Sequence, residues 1–288
     1  MKLNQINWKK VLRVFLWSQA LLLLGVMLGY VNHAESLQKC TALDIQIDNE
    51  PSGVYFIDKQ DVITMLNDRA MYPVGVPAQV VNTHAIEALF DDDPYVFNAE
   101  VFMNVKGKLN IEVKQRKAIM RVINFKGEKF YIDSVGALMP MSDQYVARVP
   151  VATGSIAGSL LFTKIKPFLN TEDSATASRH DLMDSLFVLA DYIAKDEVLS
   201  ALVEQVYVNA DHEFELIPLI GGQKILFGGI EDMEDKFSRL LVFYQKGLVR
   251  RGWDAYATIN LKYRDQIVCT QLETVASSNT NPSNLTTH

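Results

Sequence analysis

The longest predominantly apolar stretch in the chain is "VLRVFLWSQALLLLGVMLGYV", residues 11–31. As a helix rising about 1.5 Å per residue, it reaches roughly 30 Å, the hydrocarbon thickness of a bilayer. Arg13 is its one ionised residue and lies within a turn of the start, where it can snorkel, and Ser18 and Gln19 are tolerable in a spanning helix. Lys2, Lys9 and Lys10 precede it and no Asp or Glu occurs before Glu35, so residues 1–10 are expected to be a cytoplasmic stub and the remainder exported. A cleaved signal peptide fits less well, because the apolar core exceeds the usual ~7–15 residues and "VNHAES" is a poor small-x-small cleavage site. The pattern predicts one uncleaved transmembrane anchor.

Beyond the anchor the period changes repeatedly. "ALDIQID" (42–48) alternates like a strand, and "IDKQDVITMLND" follows with Asp58 as N-cap and Asp61 three residues on, a helix start. The loop "MYPVGVPAQ" leads to "NTHAIEALF", a second helix capped by Asn82 or Thr83 and ended between Asp91 and Pro94. "YVFNAEVFMNV" and "KLNIEVKQ" are strand-like runs joined at Lys106-Gly107, a hairpin signal. The order β-α-α-β-β over residues 41–115 predicts a small α+β domain, two helices on one face of a mixed sheet.

From residue 116 strands dominate, interrupted by a polar excursion at "NTEDSATAS" (170–178). Ser178 and Asp181 form a capping-box pattern before "LMDSLFVLADYI", whose Leu182, Leu186, Leu189 and Ile193 share a helical face. Strands follow at "LVEQVYVN", "EFELIPLIG" and "QKILFGG". The clearest helix spans 232–252, with Asp232 and Asp235 at its start, Phe237, Leu240, Leu241, Tyr244 and Leu248 on one face, and Lys246, Arg250, Arg251 and Gly252 at its end. "DAYATINLKY" and "DQIVCTQ" close a strand-rich domain of residues 116–271. The tail 272–288 is expected to be disordered.

Composition narrows the chemistry. A net charge of -6 over 288 residues, without a basic stripe, argues against nucleic acid. The two cysteines, Cys40 and Cys269, exclude a disulfide-rich scaffold and a cysteine-based zinc site; an export topology permits a bond between them, and their places in separate domains oppose it. "LQKC" puts Lys39 where lipidation of Cys40 needs a small residue. The histidines, His33, His84, His180, His212 and His288, have no metal-ligand spacing. Ser155 in "GSIAG" is off the central place of a nucleophile elbow, and "GGQKILFGG" lacks phosphate-loop spacing. Asp91, Asp92 and Asp93 read as a solvated loop rather than a cation site. No catalytic, cofactor-binding or metal-binding residues are predicted, and no small-molecule substrate.

The basic stub, single anchor, β-α-α-β-β unit and strand-rich domain ending in "YATINLKYRDQIVC" resemble the FtsQ/DivIB family of bacterial cell-division proteins over roughly residues 8–271. "NTHAIEALFDDDPYVFNAEVFMNVKGKLNIEV" is similar to that family's POTRA domain. "VKQRKAIMRV" resembles its crossover into the second domain, with Ala118 where proline is usual, and "KFYIDSVGALMPMS" its Tyr-x-Asp-x-x-Gly hairpin. "INLKY" resembles its hydrophobic-Asp-hydrophobic-Arg-Tyr signature, with Asn260 and Lys262 at the acidic and basic places.

The resemblance implies a non-enzymatic divisome scaffold in the inner membrane at the division septum, single-pass type II, with its bulk in the periplasm. The implied partners are division proteins of the FtsB/FtsL coiled-coil type and other divisome membrane proteins, bound in part by strand addition at an open C-terminal sheet edge. Lys262, Tyr263 and Asp265 at the turn, and Gln266, Ile267, Val268 and Cys269 as the edge, are the expected contacts. An anchored cell-wall enzyme and a POTRA-type assembly or transport factor remain the alternatives.

Overall fold

A computed structural model describes residues 12, 15–27, 39–48, 56–159 and 182–272. Residues 12 and 15–27 are helical and their side chains exposed; the rest of the expected anchor lies outside the described residues, among which no helix is long and apolar enough to cross a membrane. The polar excursion at 170–178, the Ser178/Asp181 cap and the tail from residue 273 also lie outside. The remainder divides between Arg116 and Lys117 into two compact units, each with its own apolar core.

In the first unit β1 (Ala42–Asp48) leads into α1 (Lys59–Asp68), a short 3-10 turn (Ala78–Val80), α2 (Thr83–Asp91), β2 (Val96–Met103) and β3 (Lys108–Gln115). The sheet order is β1-β3-β2, with β1 parallel and β2 antiparallel to β3. Asp58 and Asp61 form a reciprocal capping box at α1, each carboxylate accepting the other's backbone N–H at 2.8 Å, which satisfies two amides a bare helix end would leave unpaired. The Asn82 side chain accepts the Ala85 amide and starts α2. Strand alternation turns Leu109, Ile111 and Val113 of β3 inward against Val62, Leu66, Ile86 and Phe90 of the helices. Each such side chain, fully buried, contributes about 1.5–3 kcal/mol relative to exposure. Between β2 and β3, Asn104 Oδ1 accepts the Lys106 and Lys108 amides, and Gly107 supplies the positive φ of 74°.

The second unit is built on nine strands: β4 (Ala118–Ile123), β5 (Lys129–Asp133), β6 (Leu138–Pro140), β7 (Val151–Gly154), β8 (Val203–Val208), β9 (Phe214–Pro218), β10 (Lys224–Gly228), β11 (Tyr256–Asn260) and β12 (Val268–Gln271). They are ordered β12-β11-β10-β9-β8-β7-β4-β5-β6. Two antiparallel meanders, β4–β6 and β8–β10, are joined by β7, which pairs parallel with β4 and β8, while β11 pairs parallel with β10. The Asp133 carboxylate accepts the Val135 and Ala137 amides in the β5–β6 turn.

Three helices bear on this sheet: α3 (Leu182–Lys195), α4 (Glu197–Leu202) and α5 (Met233–Phe243). The apolar face of α3 carries Leu186, Leu189 and Ile193 into the core with Phe237, Leu240, Tyr244 and Leu248 from α5 and its continuation. The sequence pattern does not show α4; its N-cap, Asp196, accepts the Val198 and Leu199 amides. Nor does it show that the long C-terminal helix widens into a π-turn over Tyr244–Leu248 before a last turn, Val249–Arg251, and Gly252 at φ 98°. Asp232 and Asp235 stand at the start of that helix as expected; Asp232 takes the N-cap position at φ 51° without a side-chain capping hydrogen bond, and Asp235 pairs with Arg239.

Candidate partner-binding edge

The last strand, β12, pairs antiparallel with β11 and ends the sheet. Among the described residues nothing pairs with its other side, so a row of backbone donors and acceptors faces outward. Val268, Thr270 and Gln271 are exposed, and Cys269 is half-buried against the core. Gln266 and Ile267 were expected to belong to this strand; they lie instead in the loop before it, and Ile267 packs partly into the core. Tyr263, Val268 and Leu272 expose 51%, 43% and 48% of their surface, which gives the edge an apolar fringe.

Three interactions fix the turn that delivers the strand. Asn260 Oδ1 accepts the Lys262 amide at 3.0 Å, closing an Asx turn, and so performs with an amide the local work that a carboxylate would do at the same place. Lys262 Nζ reaches Glu213 Oε2 at 2.8 Å. That bond holds the Glu213 carboxyl below its ordinary range and the Lys262 ammonium above its own. The third is Arg239, on α5. One of its guanidinium nitrogens donates to the carbonyls of Tyr263 at 3.0 Å and Gln266 at 2.6 Å, another to that of Leu261 at 3.4 Å, and Nε is held by Asp235 at 2.7 Å. One planar cation gathers three carbonyls of the turn, a task its forked donors suit.

Asp265 occupies the left-handed region at φ 57°, which an aspartate tolerates better than most residues. Arg264 and Asp232 approach at 3.8 Å, an exposed pair that contributes little. Beneath the turn, Lys236 is buried, donates to the Gly229 carbonyl at 2.9 Å and lies 5.0 Å over the Phe227 ring; desolvation pushes its pKa down, opposed by Glu231 and Asp232.

Of the expected contacts, the structure therefore brings Lys262, Tyr263, Asp265, Val268 and Cys269 to one hairpin, with Gln266 and Ile267 in its loop. Sequence reading missed Arg239 and Glu213. Asp235 and Arg239 do carry a signal, an i,i+4 acid-base pair on a helix, but their reach to a turn 22 to 27 residues onward leaves none.

Elsewhere the candidate chemistry is taken up by structure. Asp91 Oδ1 accepts the Ala99 amide and Asp93 Oδ1 the Tyr95 amide. Ser155 follows β7 in a turn, its amide bonded to the Val208 carbonyl. His84 is exposed beside Glu87, whereas His180 lies outside the described residues. No group of three His, Cys, Asp or Glu able to hold a metal occurs among the described residues. Cys40 and Cys269 are both free thiols, the first buried and the second with its pKa raised by burial.

Two family models match the chain. Residues 117–270 match the one described as FtsQ/DivIB, C-terminal related, and residues 38–114 match a POTRA-like domain. No curated protein matches the sequence.

Proposed function

The chain belongs to the FtsQ/DivIB family, and from that membership we propose that it is a non-enzymatic scaffold of the bacterial division complex, working at the septum. Residues 11–31 anchor it in the inner membrane with residues 1–10 in the cytoplasm, and the POTRA-like domain of residues 41–115 and the β domain of residues 116–271 stand in the periplasm. Its partners are division proteins of the FtsB/FtsL coiled-coil type, which add a strand to β12, and other divisome membrane proteins.

The observation that carries this reading is the edge position of β12 together with the clamped turn before it. An unpaired edge accepts an extended segment through ladder hydrogen bonds, and alternating side chains select it. A loose hairpin would have to be ordered at the moment of binding; Arg239, Asn260 and Lys262 hold this one beforehand, which lowers the entropic cost of association. Tyr263, Val268 and Leu272 supply the apolar contacts.

Proline scanning of β12 tests it. Consecutive strand residues direct their amides to opposite sides, so of Cys269→Pro and Thr270→Pro one removes a ladder bond to β11 and the other only an outward amide. With full-length chain and envelope extract, one of the two is expected to keep its fold and lose the coiled-coil partner. Retention of that partner by both variants, with circular dichroism unchanged, would rule out strand addition here.

A further inference from the structure

The first unit also ends in an edge strand, and it is a hazardous one. β2 is an eight-residue strand, "VFNAEVFM", at one end of its sheet, and Phe97 and Phe102 each expose 44% of their surface. A long edge of this composition is a template for pairing with another copy of itself. Two of its backbone amides, however, are already occupied. The Val101 amide donates to Glu87 Oε1 at 3.0 Å and the Ala99 amide to Asp91 Oδ1 at 3.1 Å, both acceptors coming from α2.

The match is geometric. Glu87 and Asp91 are one turn apart on α2, about 6 Å along the axis, and Ala99 and Val101 are two residues apart on β2, about 6.8 Å. The longer Glu side chain takes up the difference. An amide has one hydrogen, and strand residues alternate, so the pair bonded to carboxylates is the row facing away from β3. These are the donors a new strand would need. Both are charge-assisted bonds, stronger than a neutral acceptor from an incoming strand would form.

We propose that Glu87 and Asp91 are a latch that closes the β2 edge of the POTRA-like unit against strand pairing, and that the strand it excludes is β2 of a second copy of this chain. The carboxylates do by hydrogen bonding what a proline or a bulge does at other edges. Strand addition is thereby turned away from the β2 edge, whatever its fate at β12.

The test uses the full chain as native, as Glu87→Ala/Asp91→Ala, and as Glu87→Gln/Asp91→Asn, whose amide oxygens still accept hydrogen bonds. In the alanine variant the Ala99 and Val101 amides are expected to exchange with deuterium about tenfold faster or more, while the alternate amides that face β3 keep their protection. Sedimentation is expected to show an added species of twice the native mass, absent from the Gln/Asn variant. Unchanged exchange at the two amides overturns the latch; faster exchange without the doubled species overturns its role in closing the edge. Should the double variant unfold, each single alanine variant is read by the same exchange measurement, and unaltered rates there also overturn the proposal.

Discussion

Tyr244 is the residue whose surroundings bear most directly on solution behaviour. It sits in the π-turn after α5, buried, with its hydroxyl accepting from Gln223 Nε2 at 2.8 Å. Burial pushes its pKa up from 10.0 to about 12, with the Gln223 hydrogen bond opposing. The neutral phenol is thus favoured by folding. Below pH 10 neither state ionises it and its contribution is intact; as pH rises from 10 towards 12 the unfolded chain ionises first and stability falls. The loss amounts to no more than about 3 kcal/mol. Urea titrations across that range are expected to show this decline in the native chain and a shallower one in Tyr244→Phe, which is weaker at neutral pH by about 1 kcal/mol for the lost hydrogen bond. Equal slopes in the two proteins would contradict the assignment.

At the scale of elements, α5 and the β11–β12 hairpin are held together through Arg239. Arg239→Ala removes a cation from three carbonyls and is expected to cost about 1–3 kcal/mol, to speed amide exchange in β12, and to weaken partner binding about tenfold. Arg239→Lys should restore little of this, because an ammonium is a single compact donor and the carbonyls of Leu261, Tyr263 and Gln266 need a fork. Full partner binding by the alanine variant would mean that the hairpin needs no clamp. Elements of this kind divide according to how local their causes are. The box at Asp58 and Asp61, the Asn82 cap and the alternating strands of the first unit are legible in sequence because each cause lies within four residues of its effect. Helix α4 was hidden because "LVEQVYVN" continues it into β8 without a break, so that β-branched residues mask its six-residue turn. The π-turn and the left-handed Asp232 were illegible because tertiary packing, not propensity, imposes them. For the candidate edge, the hairpin residues could be read in the chain; that Ile267 drops into the core and that Arg239 and Glu213 secure the turn depends on which strands become neighbours.

Two separate apolar clusters imply that damage to one need not spread through the molecule. Phe90 is fully buried in the first and Phe130 in the second. Phe130→Ala is expected to destabilise the second unit by about 3–5 kcal/mol while amides of the POTRA-like unit keep their protection, and Phe90→Ala to do the converse. Exchange that rises in both units from either substitution would show a single cooperative fold. The placing of β7 has a consequence of another sort, in time rather than in space. The β4–β6 and β8–β10 meanders join strands adjacent in sequence and can zip within themselves, whereas β7 must find β4 and β8 across long intervening segments. Closing the nine strands into one sheet is therefore expected to be the late, slow event in folding, with two unfinished sheets present until it occurs. At the closing point Gly154 lies beside Val208 at φ 105°, so near that an added Cβ would stand 2.1 Å from the Val208 carbonyl oxygen. Substitution of this one glycine is therefore expected to strain the β7–β8 junction and to slow the joining of the two meanders more than the formation of either.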